Sequence, residues 1–461
     1  MKKIGFKEAA PFVLLVALAI AAIFTPVLPN FDDAGKYSAA DISWILVATA
    51  LVFLMTPGLA FFYGGMVHRK NVISTMIKSV VAAGVVSVLW IVFGFSLAFG
   101  DSIGGLIGNP STFLFFKDVN SGEPWSLAPT IPKSLFSLFQ LMFAIITPGL
   151  VVGAVAERIR FNAYILFTVL FCILVYAPLA HWSWHPDGFL FKWGALDFAG
   201  GTVVHISAGC AALAGALVLK RRRVHLEGEE VPPANVPYVL IGTGLLWFGW
   251  FGFNAGSALA ANALAVSAFA TTNTAAAAAG LSWMFFDVLK GKKPSVLGFC
   301  IGAVVGLVAI TPGAGFVGIP QSIFIGVVAA IISNIAVFYK SKSKLDDTLD
   351  VFPCHGLGGI VGMLLTGVFA SKAVNVAGND GLFYGNMEFF VTQLKAMAIA
   401  VTYSFVVSFL IFKFINFILP LRVSMEEEEK GLDATQHNEN YVQGTLLVKN
   451  EASGILEETE A

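Results

Sequence analysis

Charged side chains are what this sequence has least of. Only 12% of its 461 residues are Asp, Glu, Lys or Arg, where a soluble domain carries about 25%. So large a deficit excludes a water-soluble globular enzyme, whose surface must be solvated by charge. Cysteine is scarce too. Cys172, Cys210, Cys300 and Cys354 lie in or beside apolar stretches with no CxxC spacing, which argues for small packing residues and against a disulfide framework or thiolate metal site. There is no dinucleotide fingerprint and no convincing ligand cluster, so neither a cofactor nor a metal is expected. A net charge of −1 gives no electrostatic reason for a nucleic-acid partner.

Apolar length is what the chain has in abundance. Hydrophobic residues make up 57% of it, mean hydropathy is +0.80, and apolar stretches of around 20 residues recur along its length. The expected fold is an all-α polytopic membrane protein. Its start, MKKIGFKEAAPFVLLVALAIAAIF, has a basic end, a short apolar run and small residues. That pattern fits a secretory signal peptide over 1–33 or a short leader helix. Eleven longer spans are predicted within 34–420, near 42–64, 76–100, 134–156, 164–179, 198–219, 237–259, 263–289, 296–311, 317–339, 355–370 and 389–418.

Basic residues orient these spans. Alternate loops carry HRK (68–70), ERIR (157–160), KRRR (220–223), KGKK (290–293) and YKSKSK (339–344), whereas the opposite loops hold only Lys117, Lys133, Lys192 and Lys372. The asymmetry predicts a cell-membrane protein with its C-terminal tail inside. With five spans per half, 42–220 and 236–370 enter the membrane from opposite sides as an inverted repeat, followed by a last helix over 389–418. Weak echoes fit, PGLAFFYGGMV against FGWFGFNAGSA and Asp197…His205 against Asp350…His355. The tail, 421–461, is polar and acidic and reads as a solvated, partly disordered end.

Several polar groups fall where hydrocarbon disfavours them. His205 sits about 12 Å into its span at 1.5 Å per residue, and His355 opens another after Pro353. Trp250, Asn254, Ser257, Gln140 and the TTNT patch at 271–274 also lie within spans. One buried histidine reads as a neutral packing residue, but two at matching places in opposed halves point to a shared pore axis. Asp197 either caps the first-turn amides of its span or meets a transported ion directly. With 42 Phe and 9 Trp in the chain, no single aromatic stands out. Composition and spacing thus describe a multi-span transporter or channel with a histidine-bearing interior and leave its substrate open.

DFAGGTVVH, GWFGFNAGSA, AERIRF and DVFPCHGLGGIVG, together with PGLAFFYGGMVHRKNV and RVSMEEEEKGLD, resemble the signatures of the ammonium transporter (Amt/Mep/Rh) family. The likeness runs in order over about 42–442 and favours the bacterial-type Amt branch over the Rh branch. It implies a homotrimer of eleven-helix protomers, each with a pore for ammonium/ammonia between two inverted five-helix halves, and no enzymatic activity. It also implies paired pore histidines at His205 and His355 and an outer recruitment site of Phe143, Trp184 and Ser257. Phe143 and Phe253 would form a stacked gate, Trp250 would line the pore, and Asp197 would support the site indirectly. A PII-type regulatory protein is implied as a partner at the inner face, where the loops at 220–223 and 340–344 could meet it or simply set topology. The alternative is an ammonium sensor with little flux. The chain departs from the family pattern twice. HWSWHPDGFLFKWGALD is one residue longer than usual, which leaves Trp184 and Trp182 in competition, and HNENYV lacks the glycine that commonly follows the tail histidine.

Overall fold

Apolar length becomes helix almost everywhere in the computed structural model, which describes residues 6–25, 36–120, 123–229, 231–441, 445–449 and 456–460. Among the described residues, ten helices are long and apolar enough to cross a membrane. We number them with the shorter Val296–Ile310, which fills the remaining predicted place. They are α1 (Ala39–Met66), α2 (Arg69–Phe99), α3 (Lys133–Val155), α4 (Phe161–Lys192), α5 (Gly201–Leu219), α6 (Val236–Gly256), α7 (Ala263–Leu289), α8 (Val296–Ile310), α9 (Ile319–Ser341), α10 (Phe352–Phe369) and α11 (Met387–Ile418). A leader helix, Phe6–Ile23, precedes them with an exposed apolar surface at Phe12 and Val13; the remainder of the predicted 1–33 segment lies largely outside the described residues. All four cysteines are buried and free.

Two spans are longer than their sequence suggests, for identifiable reasons. Helix α2 begins before the predicted start at 76, where Asp433 accepts from Ile73 N and Ser74 N, and it accommodates Lys78, whose ammonium donates to Ser74 O and Oγ at 2.7 and 2.6 Å. Helix α4 runs on through Pro178, where a proline ordinarily breaks a helix by removing a donor and crowding the carbonyl four residues earlier. The chain widens into a π-turn at Cys172–Tyr176 just before it. The Leu174 carbonyl, four residues before Pro178, accepts from the Tyr403 hydroxyl at 2.7 Å. The helix therefore survives as far as the tryptophans at its end.

In lipid, helices associate by close packing more than by hydrophobic drive, and α1 and α6 use glycine for this. A Cβ on Gly242 would lie 2.3 Å from Phe62 N, and one on Gly252 would lie 2.7 Å from Ala48 O. Asn254 donates to Thr272 Oγ1 at 2.9 Å, so the TTNT patch fastens α7 to α6.

The tail departs from the expected solvated end as far as Tyr441. A capping box at Ser424 and Glu427 starts the short helix α12, Met425–Lys430. Arg160 donates to both Glu427 carboxylate oxygens at 3.2 and 2.7 Å. Glu428 pairs with Arg422 at 2.6 Å, and Glu429 with Arg223 at 2.7 Å. Asp433 accepts from Ser74 N and Ile73 N at 2.7 and 3.1 Å, capping the start of α2. Composition missed this because the acidic residues serve as specific partners for the basic loops. Asn438, which stands where a glycine is usual, adopts φ 56°, ψ 38°. This left-handed conformation is one that asparagine tolerates better than most residues.

Beneath the tail, Arg222 bridges Glu157 at 2.6 Å and Asp346 at 2.9 Å. Burial raises the Glu157 carboxyl, but Arg222 and the His68 amide outweigh it and hold the group below its ordinary value. Asp346 is likewise held low: burial opposes this, and Arg158 and Arg222 prevail. The loops at 68–70, 157–160 and 220–223 thus share one face of the bundle with the tail.

Candidate functional site

The two histidines are delivered by matching local devices. After the FAGG turn, Gly200 takes φ +115°, and a side chain there would press on Val204 and Trp184; only glycine adopts this conformation readily. The chain then winds into a π-turn, Gly201–Ile206, that carries His205. A second π-turn, Phe352–Gly356, carries His355. Such turns enlarge the helix by one residue and often mark functional positions. A Cβ on Gly209 would lie 2.1 Å from Gly356 N, so the two segments approach at backbone distance.

Carboxylates cap both segments. Asp197 accepts from Gly200 N at 2.8 Å, Gly201 N at 2.6 Å, Thr202 N at 2.8 Å and Val203 N at 3.4 Å, and also from the Thr202 hydroxyl. This is the capping arrangement anticipated from its place in the chain. In the other half, Asp347 accepts from Val351 N at 3.0 Å and Phe352 N at 2.7 Å. The sequence echo paired Asp350 with Asp197, and the structure corrects it. Asp350 instead pairs with Lys340 at 2.7 Å, while Asp347 precedes its histidine by eight residues, just as Asp197 does. That equal spacing was the signal available to find it. Burial pushes the Asp347 carboxyl up to about 6, against the pull of Lys340.

His205 and His355 meet. Their Nδ1 atoms are 3.5 Å apart, their ring centroids 5.6 Å apart, and both side chains are buried. His205 Nε2 has no hydrogen-bond partner. Trp250 lies against the His205 ring, with centroids 5.2 Å apart and planes 18° apart, and is fixed by its own Nε1 donating to Thr311 Oγ1 at 2.9 Å. The histidines, Trp250 and Phe253 border an enclosed cavity of about 10 Å³ whose other walls are aliphatic or aromatic. That is near the minimum space for one water. A further small cavity adjoins His355 beside Tyr63 and Cys354.

Phe143 and Phe253 pack against each other next to this cavity, with centroids 4.3 Å apart, and their planes are tilted by 39° instead of lying in the expected parallel stack. On the other side of the pair a wider cavity of about 100 Å³ opens, lined by Phe143, Trp184 and Ser257 among others. Trp184 approaches Phe143 edge-on at 5.9 Å and donates from Nε1 to Asp197 O at 2.9 Å. Trp182 lies elsewhere, donating to Leu106 O at 2.7 Å and packing on Tyr403 and Phe189. Ser257 spends its hydroxyl hydrogen on Phe253 O at 2.8 Å, leaving its lone pairs for a donor. The structure therefore brings Phe143, Trp184, Ser257, Phe253, Trp250, His205 and His355 to two adjoining cavities, with Asp197 behind them as the cap of the turn that carries His205. Trp125, Gln140 and Phe198 also line the wide cavity. Trp125 escaped the sequence reading because it comes from a loop, and Phe198 because it lies hidden within the FAGG motif.

Among the described residues no group of three His, Cys, Asp or Glu is placed to hold a metal. The family model for the Ammonium Transporter Family matches residues 43–442. The ammonium transporter of Bacillus subtilis (strain 168) is 47% identical over 410 residues, covering 88% of this chain and 99% of that protein. The crystal structure of Saccharomyces cerevisiae Mep2 superposes with a TM-score of 0.81 at 36% identity, covering 92% of this chain and 94% of that one. A Sensor Amt Protein structure matches at a TM-score of 0.78 and 32% identity, covering 86% and 98%. With one family model spanning almost all of the helical bundle, this chain belongs to the ammonium transporter family.

Proposed function

We propose that this chain, an ammonium transporter, captures the cation in the wide aromatic cavity, where it gives up a proton to solvent water at the cavity mouth, and passes ammonia between Phe143 and Phe253 to the paired histidines. The observation that carries this reading is the position of His205 and His355. They contact each other beside a cavity of about 10 Å³ with almost no polar wall, directly beyond the tilted Phe143–Phe253 pair.

A bare ammonium ion pays a Born penalty of tens of kcal/mol in such a low-dielectric passage. Giving up its proton costs far less, about 3 kcal/mol if its pKa lies roughly two units above ambient. A dry passage therefore favours neutral ammonia over the intact ion. Before that step, the faces of Phe143 and Trp184 attract the cation by about 0.5–2 kcal/mol, and Ser257 Oγ accepts one of its N–H groups. Potassium shares the first attraction but donates no hydrogen bond.

Two neutral imidazoles that share one Nδ1 proton expose a bare Nε2 on one ring and an Nε2–H on the other. An ammonia molecule donates to the first and accepts from the second, so the pair both holds it and offers a proton relay. Trp250 keeps the His205 ring in plane for this exchange. We further propose that the chain works as a homotrimer in a cell membrane, with the basic loops and tail on the inner face and the wide cavity outside. A PII-type protein is the proposed partner at that inner face, tested by co-purification with and without nucleotide effectors.

The decisive test records ammonium- and potassium-evoked currents from purified protein in liposomes, for wild type and for His205→Leu and His355→Leu. Loss of ammonium-coupled charge movement or a changed ammonium-to-potassium ratio is expected. Unchanged current and selectivity in both variants would overturn the proposed pathway. A wild type without flux that nevertheless responds to ammonium would favour a sensor.

A further inference from the structure

Gln140 is polar, sits in the middle of an apolar span, and has no role in the pathway above. It lies three residues before Phe143 on α3, so the two side chains share a face of that helix. Both border the wide cavity with Trp184 and Ser257. Gln140 is 8% exposed, and its Oε1 is buried without a hydrogen-bond partner behind the cavity wall; a half-turn of the amide about its last bond, which leaves the side chain's shape unchanged, is what would present this oxygen to the cavity. Folded proteins seldom leave a buried acceptor unpaired, so each such atom calls for an explanation.

The chemistry of the cavity supplies one. No carboxylate lines it, so a captured cation is met by aromatic faces and neutral dipoles alone. Ammonium carries four N–H donors, and aromatic faces attract its charge without saturating them. Ser257 offers one acceptor, because its own hydrogen is committed to Phe253 O. An amide oxygen with nothing else to bind is the natural second. The cavity, at about 100 Å³, leaves room for the ion and residual water.

We propose that the Gln140 side-chain oxygen is a second hydrogen-bond acceptor for the cation captured beside Phe143, Trp184 and Ser257, and that it helps the site prefer ammonium to potassium. Charge–dipole attraction to this oxygen serves both ions. Only ammonium adds a directed N–H bond, which is stronger when one partner is charged. The inference rests on the wide cavity being the recruitment site. The competing explanation is structural. Trp125 Nε1–H is also unpartnered in the same wall, and one fixed water between it and Gln140 would satisfy both without any cation.

The test uses the full-length protein in liposomes, measuring ammonium-evoked current against ammonium concentration with and without competing potassium. The variants are Gln140→Leu, Gln140→Met, Gln140→Glu, Trp125→Phe and Trp184→Leu, each checked for monodisperse elution. Gln140→Leu is expected to raise the half-saturating ammonium concentration about tenfold with maximal current retained, as for loss of a hydrogen bond to a charged group, and to strengthen competition by potassium. Gln140→Met should do the same if the leucine variant does not fold. Gln140→Glu keeps an oxygen in place and is expected to restore half-saturation to the wild-type value or below. Trp125→Phe keeps an aromatic face in the cavity wall but removes the N–H that would hold a structural water, so its effect on half-saturation is expected to stay well below that of Gln140→Leu.

If Trp184→Leu raises half-saturation while Gln140→Leu and Gln140→Met do not, Gln140 is no ligand and the recruitment site stands without it. If neither position matters, the recruitment site itself is misplaced. A fall in maximal current that Gln140→Glu does not rescue, or a Trp125→Phe effect equal to that of Gln140→Leu, would assign Gln140 to packing and overturn the proposal.

Discussion

Replacing Asp197 with alanine removes one acceptor group from four consecutive backbone amides. Gly200, Gly201, Thr202 and Val203 all donate to its carboxylate, and the Thr202 hydroxyl adds a fifth bond. An ordinary helix cap is worth about 1 kcal/mol, and a hydrogen bond to a charged group about 1.5–3 kcal/mol. Asp197 is only half-buried, so water would replace part of what is lost, and about 3 kcal/mol is a reasonable net figure. That makes local opening of the 200–206 turn easier by roughly two orders of magnitude, at 1.36 kcal/mol per tenfold. Hydrogen–deuterium exchange of the peptide covering 197–206 should report the change directly, with ammonium-evoked current falling alongside because this turn carries His205. Asp197→Asn keeps the oxygen that serves Gly200 and Gly201 but sets an NH₂ group against the Thr202 amide, so an intermediate effect is expected. Unchanged exchange in Asp197→Ala, or equal acceleration in both variants, would refute the capping argument.

Trp184→Leu should raise the half-saturating ammonium concentration five- to thirtyfold, from loss of about 1–2 kcal/mol of cation–π attraction. Trp182→Leu should change melting temperature and leave half-saturation alone; the reverse pattern would exchange the two tryptophans. Gly209→Ala drives a methyl group into the Gly356 backbone and should cost about 1–3 kcal/mol or more, seen as a lower melting temperature and lost current. Gly84→Ala is the control, since a Cβ there meets nothing within 4 Å. The Glu157 carboxyl, held below its ordinary value near 4.5 despite burial, contributes stability that is complete above that pH and lost as pH falls through its lower folded value. Glu157→Gln should therefore melt earlier at neutral pH and show a flatter decline below pH about 4.5; parallel melting curves would exclude the ion pair as the source.

Much of the architecture can be read from the chain because hydrocarbon imposes a severe filter. A span must be apolar for about 20 residues and close its own backbone hydrogen bonds, so helix α7 could be placed to the residue. The places that escaped are those where a partner distant in sequence changes a local rule. Proline at 178 argues for a helix end, and α4 continues past it through a π-turn whose Leu174 carbonyl is taken up by the Tyr403 hydroxyl on another helix. An acidic tail argues for solvation, and it is Arg160 and Arg223 in the basic loops beneath it, with Arg422 of the tail itself, that turn those carboxylates into ligands.

The site divides in the same way. Motif order alone nominated His205, His355, Phe143, Phe253, Ser257, Trp250 and Asp197, since each is tied to a recognisable run of residues. The choice between Trp182 and Trp184 was beyond it. Residues two apart on a helix point about 200° apart, so only one of them can face a given cavity. Which one does depends on how α4 is rotated against α3 and the 197–206 turn, and the Trp184–Asp197 bond records that rotation. Asp347 and Asp350 posed the same problem of angle. Chain composition determined that the helices cross a membrane and which residue types they carry inward. Their packed rotations determined which of those residues meet, because a side chain's direction is set by its neighbours as much as by its place in the chain.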